Sequence, residues 1–238
     1  MLKKLLLLSI LLFISQVEIN SQELVDGTIF YKKIFIENST LKKNLKKEYS
    51  QIKNDLKNLD YILEFNEANS KFYYNPVLQN DFNNSLDRVI MMGRGNGSYY
   101  TNRNTSIHVV NFLDKEYLVT NDKKRPFKLI NESKMIGKYL CYKAKRTEQI
   151  GLSKKFKKDI DIIAWYCPEI SYSFGPIGYY NLPGLILELT VGNIKYIATD
   201  INIKEGKKSI KKPSQGITIT NEEFDNLIKK AFDKIREN

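Results

Sequence analysis

A lone histidine, two cysteines and a scatter of carboxylates are the side chains on which any chemistry of this chain would rest. His108 sits mid-strand in Ser106-Ile107-His108-Val109-Val110. A metal centre needs several ligands at set spacing, and a lone strand histidine is structural far more often than it is a ligand. A Ser-His-Asp triad would have to use the same residue, and no Gly-x-Ser-x-Gly elbow is present to carry its nucleophile. Met91 to Gly97 has the glycine density of a phosphate loop. It lacks the Gly-Lys-Ser/Thr ending and a following helix start, so it reads as a hairpin loop. Asp159, Asp161, Glu169 and Glu188 fall within one stretch, and a hydrolase would need two of them at a defined separation. No catalytic residue, metal ligand or cofactor set is assigned.

The elements that would position these groups are mostly strands. Leu24 to Ile36 alternates apolar residues around Lys32 and Lys33 and reads as a long first strand. Leu41, Leu45, Tyr49, Ile52, Leu56 and Leu59 recur at the spacing of one helical face, with Lys42, Lys43, Lys46, Lys47 and Lys53 opposite. That basic face also offers a membrane-surface contact. Asp60 to Asn66 and Lys71 to Tyr74 are strands about an Asn-Ser turn, and Ser106 to Phe112 pairs with Glu116 to Asn121. Pro126 to Ile130 is a short strand, and Lys138 to Arg146 and Ile160 to Tyr166 flank a lysine-rich turn. Gly192-Asn193 has glycine first, as a type II′ hairpin turn wants, which sets Val191 across from Ile194 and Leu189 across from Tyr196. Asn181-Leu182-Pro183-Gly184 reads as a type II turn. After a basic linker, Thr220-Asn221-Glu222-Glu223 opens a last helix with Phe224, Leu227 and Ile228 on its apolar stripe. The expected fold is mainly β (α+β). A large curled antiparallel sheet, of the kind that can close to an open half-barrel, carries one amphipathic helix near the N-terminus and one at the C-terminus.

Met1 to Lys4 is basic, Leu5 to Ile14 is an apolar run, and small polar residues end at Ser21. This is the pattern of a cleaved signal peptide over 1–21, followed by a single domain over 22–238. With no cysteine at the cut a lipoprotein is not expected, and the chain is placed in the periplasm or outside the cell. Export argues against nucleic acid as the partner of the net charge of +11, which comes mostly from lysine. It also puts Cys141 and Cys167 in an oxidising compartment. If the strands around them form a hairpin turning near Lys154, Cys141 falls opposite residues 166–168 and a disulfide is expected; a register opposite Ile163 would point the thiols apart.

The segment Asn181-Leu182-Pro183-Gly184-Leu185-Ile186-Leu187-Glu188-Leu189, preceded by Ala164-Trp165-Tyr166-Cys167-Pro168-Glu169-Ile170 and Phe174-Gly175-Pro176, resembles the signature of the GLPGLI family of exported Bacteroidetes proteins. Asn181 stands where the family's name begins with glycine. Lys134 to Ala144 resembles the family's segment ending Cys-x-Lys-Ala, so Cys141 matches, whereas Cys167 stands where the family has threonine. The resemblance implies compartment and architecture, and no activity. The signature positions Trp165, Tyr166, Phe174, Gly175, Pro176, Leu182, Pro183 and Gly184 are the candidate binding residues, either as a packed aromatic corner or as an aromatic-lined mouth. The function expected is a non-enzymatic binding or envelope-assembly protein for an apolar or amphiphilic ligand or a partner protein. The alternative is an envelope hydrolase using carboxylates within 159–188. Peptide mapping of the mature protein is expected to find Gln22, or its cyclised form, at the amino terminus; recovery of intact Met1 to Asn20 would remove the compartment argument.

Overall fold

The computed structural model describes residues 25–36, 50, 55–56, 59–75, 95–120, 126–150 and 158–237. Twelve strands form one large, open, mixed sheet. They are β1 (Val25–Phe35), β2 (Asp60–Phe65), β3 (Asn69–Asn75), β4 (Ser98–Asn102), β5 (Ser106–Phe112), β6 (Lys115–Thr120), β7 (Lys128–Ile136), β8 (Tyr139–Ile150), β9 (Lys158–Cys167), β10 (Leu185–Val191), β11 (Ile194–Glu205) and β12 (Ile217–Thr220). Their spatial order is β12-β6-β5-β4-β3-β2-β1-β11-β10-β9-β8-β7. All pairings are antiparallel except that of β12 with β6. One helix with a full range, α1 (Asn221–Glu237), is found among the described residues; of the second one expected, Ser50, Asp55 and Leu56 are described and helical. Most of the apolar-basic stretch over 41–59, with the membrane-surface reading attached to it, lies outside the described residues, as do the signal peptide over 1–21 and most of the glycine-rich Met91 to Gly97.

Turn chemistry sets the register. Gly192 has φ 57°, and Asn193 is not among the residues of positive φ, the pattern of a type II′ turn; Val191 faces Ile194 and Leu189 faces Tyr196. Leu113 and Asp114 are both in the left-handed region, at φ 49° and 59°, so the β5–β6 hairpin turns through a two-residue type I′ loop. The β8–β9 hairpin is longer than the sequence suggested, pairing Ile150 with Lys158 and Tyr142 with Tyr166. β7 likewise runs to Ile136, where a strand ending at Ile130 was expected. At α1, Thr220 accepts from the Glu223 amide (3.2 Å) while the Glu223 carboxylate accepts from the Thr220 amide (2.7 Å), a reciprocal cap. The Thr220 amide bond holds the Glu223 carboxyl below its usual range.

The long crossover to β12 is a strap. Gly206 to Gly216 leaves β11 and delivers β12 to the far edge, seven strand spacings away, roughly 34 Å along the sheet. Eleven residues reach at most about 40 Å, so the strap has little slack. Lys208 fastens it to the outer face through Glu64 (2.6 Å) and Thr28 (3.2 Å), and Ile210 packs on Tyr100, Ile107 and Leu118.

The inner face is an aromatic wall. Tyr31 of β1, Tyr61 and Phe65 of β2, Phe72 of β3, Tyr99 of β4 and Tyr196 of β11 are all buried there. Tyr61 stacks on Phe72 at 5.5 Å and meets Tyr196 edge-on at 5.3 Å. Burying each such side chain stabilises by roughly 1.5–3 kcal/mol. Of the two lysines that interrupt β1, Lys32 pairs with Asp60 at 2.5 Å and is partly exposed. Lys33 points inward and is only 1% exposed. Its ammonium lies 3.4 Å from the Tyr61 hydroxyl and over the rings of Tyr61 and Tyr196 at 5.5 and 5.7 Å. Burial pulls its pKa down to about 7. The unfolded chain therefore holds this proton more tightly than the folded one. The resulting penalty is absent above about pH 10.5, grows as pH falls, and is complete below about pH 7. Lys33→Met is expected to raise stability by roughly 1–3 kcal/mol at pH 6, with the gain shrinking as pH rises towards 10. Melting of both forms across that range checks it; a gain independent of pH would mean that Lys33 is charged throughout.

Candidate functional site

Between β9 and β10 the chain leaves the sheet for Pro168 to Gly184, the segment that carries the signature. It is a loop, yet Phe174, Ile177, Tyr179 and Leu182 are buried. Its place is made by a split in the sheet. β11 pairs with β10 only over the stretch opposite Glu188 to Val191, then continues alone against β1. Beside the freed start of β10, the loop supplies a missing partner: the Ile186 amide donates to Phe174 O at 2.9 Å, while on the β9 side the Leu185 amide donates to Ile170 O, also at 2.9 Å. Tyr31 donates its hydroxyl across the gap to Ile186 O at 2.6 Å. Buried loop backbone is tolerated only when its polar groups are satisfied, and here the sheet and loop satisfy each other.

Close approaches fix the loop's path. Pro176–Gly178 is a single 3-10 turn, in which Ile177 is held at φ 45°, ψ 39°. A β-branched residue there costs on the order of 1–3 kcal/mol. Gly178, at φ 73°, lies so close to β4 and β5 that a Cβ would stand 2.2 Å from Ser106 Oγ and 2.9 Å from Tyr99 Cδ1. Asn181, where the GLPGLI pattern has glycine, has φ 73°, which asparagine tolerates better than other side chains do. The expected type II turn is not formed. Gly184 donates to Leu182 O at 2.8 Å, a three-residue γ-turn about Pro183, whose ring presets the φ that such a turn needs.

The structure separates the candidate residues. Trp165 lies on the outer face, with Lys134 and Lys143 ammonium groups 4.4 and 5.7 Å from its ring centre. Its neighbour Tyr166 is on the other face beside Tyr142 (6.3 Å). Phe174 packs on Phe65 (6.4 Å), Gly175 backs onto Ile186, and Pro176, Leu182 and Gly184 are buried while Pro183 is exposed. Cys141 and Cys167 are neighbours, as the register of Tyr142 with Tyr166 requires, but they are free buried thiols and no disulfide joins them. The Cys141 thiol turns to Tyr139 O (3.7 Å), and burial, with Cys167 nearby, pushes its pKa up to about 12. His108 stacks on Tyr99 at 4.2 Å and bonds Asn96 O through Nε2 at 2.8 Å, the structural role expected of it.

The carboxylates do not converge. Glu188 is buried on the outer face, bound to Lys134 (2.7 Å) and Lys195 (3.5 Å), opposite Trp165. Asp161 is four residues along β9 from Trp165, roughly 13 Å, and is held by Lys145 at 2.8 Å. The Lys145 bond draws its carboxyl below the usual range. Asp159 is farther still along the same strand, bonded to Gln149, and Glu169 is exposed in the turn beyond β9.

Where the loop meets the hairpin tips an open cleft of about 560 Å³ is formed. Tyr172, Phe174 and Tyr180 line it with Ser171, Ser173, Asn181, Val25, Glu67 and Arg103. Glu67 and Arg103 come from the β2–β3 and β4–β5 turns and approach to 3.8 Å. Each tip is shaped by an asparagine side chain: Asn66 Oδ1 accepts from Ala68 and Asn69, and Asn102 Oδ1 from Asn104 and Thr105. Tyr180 ties the loop to the second tip through Asn104 O (3.2 Å). Sequence reasoning missed Glu67 and Arg103; the available signal was only an asparagine-rich turn at each position. Among the described residues no cluster of histidine, cysteine or carboxylates suits a metal ion, and no helix is long and apolar enough to cross a membrane.

The sequence model of a family described as "Protein of unknown function (Porph_ging)" matches residues 149–188, the end of β8, β9 and the signature loop. Two crystal forms of PNGF-II superpose on the chain with TM-scores of 0.50 and 0.51 at 15% identity, covering 87% of this chain. The chain spans 33% of the PNGF-II chain. The likeness is one of fold. An uncharacterised conserved protein from Thermus thermophilus matches 90% of this chain at 6% identity, but its TM-score of 0.32 carries no argument. No curated protein matches.

Gly184→Val tests the loop path. At Gly184 φ is 145° and a Cβ would stand 2.2 Å from Cys167 O, so the substitution is expected to destabilise by at least roughly 1–3 kcal/mol. An unchanged melting temperature would mean that the β9–β10 junction is not packed this way.

Proposed function

We propose that this chain is an exported protein of the GLPGLI type that binds an amphiphilic ligand or a partner chain and performs no chemistry of its own. The observation that carries the reading is the cleft: the signature loop and two hairpin tips meet there in a mixed aromatic and polar surface. Its rings offer apolar contact, while Arg103, Glu67, Asn181 and the two serines offer polar partners. Strain at buried Ile177 supports it, since such backbone outliers gather where a loop is held for a purpose. A curled sheet is supported by the rings of β3 and β11, three strands apart, which approach to 5.7 Å. A wholly apolar ligand inside that curl would compete with the chain's own loop, so the ligand's site is at the mouth. The alternative of a hydrolase using Asp159, Asp161, Glu169 and Glu188 has less support, because these groups lie far apart or are bound to lysine.

Native mass spectrometry of full-length protein purified from the envelope of its host tests this. A bound species is expected on the wild type and is expected to be lost from the paired Tyr180→Ala, Arg103→Ala variant, with melting little changed. Protein that runs free of ligand and partner, or a bound species indifferent to both substitutions, would sink the reading.

A further inference from the structure

The sheet has two open edges, and they differ. β12 has four residues, and α1 packs beside it on Val110, Tyr117 and Val119 of the adjoining strands. β7 has nine residues and is last in the strand order. Of eight large apolar residues exposed among the described residues, four lie on the β7–β8 hairpin: Leu129 (55% exposed), Met135 (58%), Leu140 (43%) and Tyr142 (38%). The register puts them on one face, since Met135 opposes Leu140, Ser133 opposes Tyr142 and Leu129 opposes Ala144. Among the described residues the aromatic inner face of the sheet therefore runs out uncovered at this edge, where β7 has no further strand beside it.

We propose that this edge joins two copies of the chain, β7 pairing antiparallel with β7 of the second copy about a two-fold axis at Glu132. The choice of occupant comes from the strand's own pattern. Leu129 and Met135 stand three residues on either side of Glu132, so reversal of the strand brings each onto the other. Two Leu129–Met135 contacts then extend the apolar stripe from one sheet into the next. The bulge at Asn131 and Glu132 adds two residues, an even number, so the alternation of faces survives it. On the opposite face the charges near the axis are already answered within each copy. Glu132 is held by Lys143 at 2.8 Å, and Lys134 is turned back onto Glu188 and Trp165, away from the edge it would otherwise guard. An isologous pairing consumes the edge and closes, whereas capture of unrelated strands would leave it open to further growth. This inference is independent of the cleft.

The test is sedimentation equilibrium of the full chain, beside a Leu129→Lys, Met135→Lys double variant and a Glu132→Cys variant. The wild type is expected to be dimeric at about 10 μM, and the double variant to dissociate at least about tenfold more readily with an unchanged far-ultraviolet spectrum. Position 132 opposes itself across the axis, so Glu132→Cys is expected to form an interchain disulfide on mild oxidation. A monomeric wild type overturns the proposal, as does a dimer indifferent to the double substitution, or one in which the introduced cysteines do not cross-link. A wild type that is monomeric but retains a foreign peptide along β7 also overturns it, in favour of a heterologous partner.

Discussion

The constraint on which this fold depends is the satisfaction of buried backbone in a segment that is neither strand nor helix. Pro168 to Gly184 is too long to turn tightly and too apolar to stay in water, so it must go inside and bring its peptide groups with it. It does so by replacing a strand. Phe174 accepts from β10 where β11 has departed, Ile170 accepts from it beyond the end of β9, and Ser173 donates its hydroxyl to Leu182 O at 2.7 Å to close the loop upon itself. Each unmade bond there would cost about 1–3 kcal/mol. The Tyr31 hydroxyl completes the arrangement from β1, which ties the middle of the sheet to the loop and makes one cooperative core of both.

Several features follow from that insertion. β10 is buried on both faces, so it reads as a nearly continuous apolar run and its single carboxylate, Glu188, needs two lysines to remain inside. β10 bulges between Ile186 and Glu188, at the place where its partner changes from sheet to loop. Rings of the wall and its flank meet rings of the loop: Phe65 meets Tyr172 at 4.8 Å, and Tyr179 meets Phe127 at 6.3 Å. Arg146 lies over both Phe127 and Tyr179 at 4.7 Å and bonds Glu148, placing a charge pair at the loop's far side.

Local rules were legible in the sequence, and long-range ones were not. Gly192-Asn193 and the Thr220–Glu223 cap act over a few residues, so their spelling determined their geometry. The β8–β9 register also followed, because a hairpin turning near Lys154 sets Cys141 opposite 166–168, in line with the pairing of Tyr142 with Tyr166. Spelling misled at Asn181 to Gly184, where a proline followed by glycine fits a type II turn but the direction of entry from the buried loop imposes a γ-turn. The two thiols met as the hairpin required, yet meeting in register does not oblige them to bond. Nothing in Lys32-Lys33 says which lysine turns inward; alternation decides it only once the core face is known. Glu67 and Arg103 were hidden for a similar reason, since two turns distant in sequence become neighbours only when β3 pairs with both β2 and β4.

Function is most easily changed where the fold constrains least. Every residue of the inner wall touches another ring or the loop, so substitution there disturbs packing across several strands. The hairpin tips at Glu67 and Arg103 obey a different rule. Their shape is set by Asn66 and Asn102 bonding their own turns, and the residues between those bonds are free to vary without loss of register. The signature loop joins the two regimes: Phe174 and Leu182 are fixed by the core, whereas Ser171 and Asn181 are exposed beside the tips. A surface assembled from a rigid loop and two replaceable tips can change its ligand while keeping its spelling inside. On that argument the letters most readable as a family signature are the ones that hold the loop, and the letters that choose a ligand are the less conspicuous ones beside it.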